Sequence, residues 1–114
     1  MMSKRLHRKI ARLSIEALPE EACGVICEGK AIRVRNTAMN PEESFLIDAE
    51  TYLQYRPETI FHSHPVSDEG FSEHDLIVAA NMDLTSYVYV VEADRLERWS
   101  ADDGLQVFEK VLKP

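Results

Sequence analysis

The chain has 114 residues, 45% of them apolar, and 13 basic against 20 acidic side chains leave a net charge of −7. That length suits one domain over residues 1–114, large enough to bury a core without disulfide staples. The acidic balance argues against tracking a phosphate backbone, and no apolar run approaches the ~18 residues that cross a bilayer. Neither nucleic acid nor membrane is therefore an expected partner. The basic start has no signal-type apolar stretch behind it, which predicts a cytoplasmic protein.

The opening run MMSKRLHRKIARLSIEALP spaces Leu6, Ile10, Leu13 and Ala17 by three and four, the pattern of an amphipathic helix that ends near Leu18-Pro19. Lys4, Arg5, Arg8, Lys9 and Arg12 then form a basic face, read here as solvated. ACGVICEG follows as a buried strand. Cys23 and Cys27 are four apart, neither a redox CxxC pair nor a zinc knuckle. In a strand their Cα atoms would stand ~13 Å apart, beyond disulfide reach, so buried free thiols are expected. A tight turn at EG or GK joins this strand to KAIRVRNTA, which alternates Ile32 and Val34 with Arg33 and Arg35, giving a β-hairpin.

Asn40-Pro41 opens a polar loop, SFLID reads as a short extended segment, and AETYLQYR as a short helix that stops before Pro57. TIFHSH is a strand closed by Pro65. The loop VSDEGF leads into SEHDLIVAANMD, a helix with Leu76, Val78, Ala79 and Ala80 turned inward. LTSYVYVVEA is a further strand, and DRLERWSADDG holds another, hairpin-paired with a turn at Asp103-Gly104. The tail LQVFEKVLKP suits either a last strand or a short helix. The sum is α/β: a mainly antiparallel or mixed sheet with helices packed on it.

The chemistry concentrates in FHSHPVSDEGFSEHDL, residues 61 to 76. In a strand, His62 and His64 project to one face with Cβ atoms ~7 Å apart, so both imidazoles can converge on one ion at ~2.0–2.1 Å. Ser72 and Asp75, taken alone, make a helix capping box. A carboxylate in a first helical turn can also reach a cation held at a nearby strand end. His62, His64 and Asp75 would then form a three-ligand set with an open position, as in catalytic rather than structural zinc sites. A base for the bound water is available at the start of the first strand, where Glu20 and Glu21 stand side by side. Local pattern does not choose between them.

These residues resemble the motif of the JAMM/MPN+ metalloprotease family: HSHP, six residues, then S-x-x-D, with a glutamate upstream before an apolar strand. PEEACGV, residues 19 to 25, is similar to the P-x-E-x-C-G segment of prokaryotic members, which implies Glu21 as the motif glutamate. NPEESFLIDAETYLQ resembles the stretch that such members place between hairpin and HxH strand. The resemblance implies a three-layer JAMM/MPN fold of cytidine-deaminase-like type and one zinc ion per chain, held by His62, His64 and Asp75. It also implies Glu21 as general base and Ser72 as donor to the oxyanion. His74 is expected at the surface, outside the site. The implied activity is hydrolysis of a peptide or isopeptide bond, with a peptide or protein tail as substrate, such as that of a ubiquitin-like sulfur carrier. A phage tail-assembly-type peptidase and a metal-free MPN scaffold are the alternatives. A deaminase proper is excluded, since neither its H-x-E nor its P-C-x-x-C occurs.

Overall fold

A computed structural model describes residues 4–114. Among these, six strands form one mixed sheet with three α-helices packed on it. Helix α1 spans Lys4–Glu16 and buries His7, Ile10, Ala11, Leu13 and Ser14. Ser14 is tolerated inside because its hydroxyl donates to the Ile10 carbonyl at 2.8 Å. The helix stops two residues before the expected Leu18, and the part assigned to residues 1–3 lies outside the described residues.

Strands β1 (Cys23–Cys27) and β2 (Lys30–Val34) form the expected hairpin. Glu28 and Gly29, with φ of 53° and 76°, make its two-residue turn, and the pairing of positive φ values is that of a type I′ turn. No disulfide forms; Cys23 is buried and Cys27 only half-buried at the strand end. SFLID forms neither helix nor strand. Helix α2 (Ala49–Tyr55) is capped by Asp48, which accepts the Thr51 N–H. Strand β3 (Thr59–His64) is followed by helix α3 (Glu73–Asn81) and strand β4 (Thr85–Val90). Strands β5 (Arg95–Ser100) and β6 (Gly104–Phe108) end the sheet, so the first part of the tail forms a strand, entered through the turn at residues 101–103, and residues 109–114 are irregular.

The strand order is β2-β1-β3-β4-β5-β6, and β3–β4 is the parallel pair, with α3 as its crossover. Period-two alternation sorts the side chains into two layers. Phe61, Tyr87, Tyr89 and Leu96 pack under α1 with Ile10, Leu13 and Ala31. Cys23, Val25, Ile60 and Leu84 face the other way, with Ile47 and the half-buried Tyr52 and Tyr55 of α2 over them. The helix–sheet–helix layering matches the expected architecture. On α3, Leu76 and Val78 are half-buried and Ala79 is buried, but Ala80 is exposed, against expectation. The face toward the cleft carries Asp75, Val78, Ala79 and Met82, at helical spacings of three and four, and Ala80 falls beside it.

Candidate metal centre

The antiparallel register of β1 with β3 sets Cys23 opposite His62. Two further bonds extend the ladder past the strand end: the Ser63 N–H donates to the Ala22 carbonyl at 3.0 Å, and the Ala22 N–H donates to Ser63 Oγ at 2.8 Å. Continuing that register by one step brings Glu21 opposite His64. Alternation then turns Ala22 toward α1 and Glu21 toward the face that carries both histidines. Ser63 thus fixes the glutamate's entry into the sheet, a more specific task than the shaping of the strand exit read from sequence. Glu21 is 7% exposed, whereas Glu20 is half-exposed. The inward glutamate is therefore Glu21.

His62 Nε2 and His64 Nε2 lie 3.3 Å apart. Asp75 Oδ2 stands 3.5 Å from the first and 3.6 Å from the second. Glu21 places an oxygen within 4.8 Å of both rings. Asp75 reaches this position as the third residue of α3, where the capping box is complete. Ser72 Oγ accepts the Asp75 N–H at 3.0 Å, and Asp75 Oδ2 accepts the Ser72 N–H at 3.1 Å. The same carboxylate therefore caps the helix and faces the histidines, so the two readings of S-x-x-D coexist.

The electrostatics follow from burial and from these contacts. Burial pushes the Glu21 carboxyl up to about 7; His64 opposes this and the Asp75 charge adds to it. Burial also resists ionisation of Asp75, but the facing His62 and His64 rings and the Ser72 N–H outweigh it and hold that carboxyl well below the usual range. His62 is driven down by burial, whereas at His64 burial is outweighed by Asp75 and the Glu69 carbonyl, and its value rises. His64 Nδ1 sits 2.9 Å from that carbonyl, so in the neutral ring that a metal requires, a proton on Nδ1 would leave the Nε2 lone pair pointing into the cluster. The His62 ring stacks on Phe45 at 4.3 Å and 17°, and its buried Nδ1 has no partner among the described residues.

The donor set fits a tetrahedral metal. Ligand atoms each ~2.0–2.1 Å from a zinc ion are separated by about 3.4 Å along a tetrahedron's edges. The Nε2, Nε2 and Oδ2 triangle, with edges of 3.3, 3.5 and 3.6 Å, already has that size.

The cluster opens into a cleft of about 660 Å³ whose apolar wall includes Ile47, Tyr52, Val78 and Met82. Ser72 lines it, and so does His74, which is exposed as expected but not remote from the site. One organiser was not singled out from sequence. Asn36 Nδ2 donates to the carbonyls of Glu21 (3.0 Å), Pro41 (3.3 Å) and Ser44 (2.9 Å). Its Oδ1 accepts the N–H groups of Ala38 (3.0 Å) and Leu46 (3.2 Å). With the Glu21 N–H donating to Pro41 at 2.7 Å, the loop that carries Phe45 is tied to the glutamate's backbone on both sides. The asparagine beside a strand end, followed by N-P, was the available signal.

A family model described as prokaryotic homologues of the JAB domain matches residues 3–102. The chain belongs to that family. No curated protein matches this JAB-domain homologue. Its fold is similar to the solution structure of protein DSY2949 from Desulfitobacterium hafniense, with a TM-score of 0.65 over 94% of this chain and 88% of that one. At 20% identity, that likeness speaks for a shared fold alone.

Proposed function

We propose that the chain is a zinc-dependent peptidase or isopeptidase in which His62, His64 and Asp75 hold one zinc ion. One observation carries this: the three donor atoms converge at tetrahedral spacing, beside a buried glutamate, at the head of a cleft. Zinc bound there would polarise a carbonyl and acidify a water molecule. Glu21, with its carboxyl pushed to about 7, exchanges a proton readily near neutral pH and suits both taking a proton from the nucleophile and passing it to the leaving amine. Ser72 Oγ already accepts the Asp75 N–H, so its own hydroxyl proton remains for the oxygen that gains charge on the substrate.

The cleft runs between the loop around Phe45 with Tyr52 of α2 on one side and one face of α3 on the other, a shape that suits an extended chain segment better than a folded surface. We take the substrate to be a flexible protein tail or an isopeptide-linked one, with the C-terminus of a small ubiquitin-like carrier as the leading case. A phage tail-assembly role fits the same chemistry. A metal-free scaffold has no need of four convergent ligand-type side chains.

The test is hydrolysis by zinc-loaded protein of ubiquitin-like carriers bearing a C-terminal extension, followed by mass spectrometry. Glu21→Gln should retain zinc and lose turnover by about 10²–10⁴-fold. Ser72→Ala should cost about 10²–10³-fold. Full activity in Glu21→Gln, with loss in Glu20→Gln instead, would contradict the assignment.

A further inference from the structure

Glu97 lies outside the motif, yet the sheet register puts it in the same row as the metal centre. His62 pairs with Val88, and Val88 pairs with Glu97, so all three point to one face. Glu97 is only 8% exposed, and a carboxylate buried to that extent needs partners. It finds them in the loop between β3 and α3. Its Oε1 accepts the Phe71 N–H at 3.1 Å, and its Oε2 accepts Arg95 Nε at 3.0 Å. Arg95 in turn donates through Nη2 to the Asp68 carbonyl at 2.6 Å. A Cβ at Gly70 would fall on the Glu97 carboxylate, so glycine lets the backbone approach it this closely and a larger residue would displace the carboxylate.

The backbone of residues 68–71 is therefore gripped at both ends by two side chains of β5. Between the grips lies the Glu69 carbonyl, 2.9 Å from His64 Nδ1. Directly after them comes Ser72, the cap of the helix that delivers Asp75. We propose that Glu97 and Arg95 are a positioning pair for the metal centre: they hold this loop so that Glu69 orients His64 and the first turn of α3 presents Asp75. The inference rests on the metal-centre reading above and extends it to residues that touch no ligand atom.

The test measures zinc affinity by competition with a chromophoric chelator, together with hydrogen exchange of the Phe71 amide in metal-free protein. Glu97→Ala should weaken zinc binding by about 10–100-fold, as loss of outer-shell partners does, and should speed Phe71 exchange. Glu97→Gln keeps an acceptor for the Phe71 N–H and should recover most of the affinity. Arg95→Met frees the Asp68 carbonyl and takes the cation from Glu97 while leaving the Phe71 N–H its acceptor, and should weaken zinc binding by less than Glu97→Ala does, which keeps the test open even where Glu97→Ala folds poorly. Ile10→Val, on the buried face of α1, should lower stability while zinc affinity stays at the wild-type value. If wild type binds zinc and Glu97→Ala binds it as tightly, the positioning pair is overturned and the metal centre stands. If wild type binds no zinc, the metal centre falls and the inference with it.

Discussion

Glu21 shows how a single residue's surroundings set its chemistry. Its neighbour Glu20 has the same side chain and a more open position, and only Glu21 is drawn into the face shared with His62 and His64. Burial raises its carboxyl from an ordinary 4.5 to about 7. A raised value means that folding favours the neutral form, so this contribution to stability is complete below about pH 4.5 and is lost as pH rises through about 7. Above that range the metal-free protein carries a buried carboxylate. Glu21→Gln should therefore be more stable than wild type by about 2 kcal/mol near pH 8 without metal, with the gap closing near pH 4–5. Urea unfolding at the two pH values checks this, and a gap independent of pH would contradict the burial of the charge. The identity of Glu21 as the inward residue was legible only through the resemblance of PEEACGV to a known segment, because local pattern treats two adjacent glutamates alike.

Among the elements, those with strong local signals came through clearly. TIFHSH forms β3 at its expected residues, the hairpin closes at Glu28-Gly29, and Ser72 and Asp75 cap α3. Ambiguity persisted where local signals were short: the tail became β6 only because β5 offers it an open edge. On α3 only Ala80 departs from the expected inward set, because it falls beside the face that carries Val78 and Ala79. Asn36 escaped notice because its five partners lie elsewhere along the chain, from Glu21 to Leu46, and no periodicity marks such a hub. It carries a prediction of its own. Asn36→Ala removes donors from three carbonyls and an acceptor from two N–H groups, and should destabilise the protein by about 2–3 kcal/mol. Exchange of the Leu46 amide should quicken while amides of β4 and β5 change only with global stability. Unaltered exchange at Leu46 would show that the loop holds its shape without the asparagine.

At the scale of the whole molecule, the site is a product of topology. A parallel β3–β4 pair needs a crossover, and α3 supplies it; its N-terminus therefore returns to the end of β3, where His64 stands. The antiparallel neighbour β1 enters from the opposite direction and brings Glu21 to the same end. Three segments distant in sequence meet there, and a metal joining two of them would bind the folded chain and not the unfolded one, linking occupancy to stability. The motif spacing anticipated this convergence, whereas the Arg95–Glu97 grip on the intervening loop was invisible until the strands were registered. No helix among the described residues is long and apolar enough to cross a membrane.

The most direct test of the metal centre is elemental mass spectrometry of protein purified without chelator, beside Asp75→Ala and His64→Ala. About one zinc per chain in the wild type, lost in both variants, is the predicted result. A wild-type chain that holds no metal, even after zinc is offered back, would contradict the central claim and leave the convergent side chains without the role assigned to them.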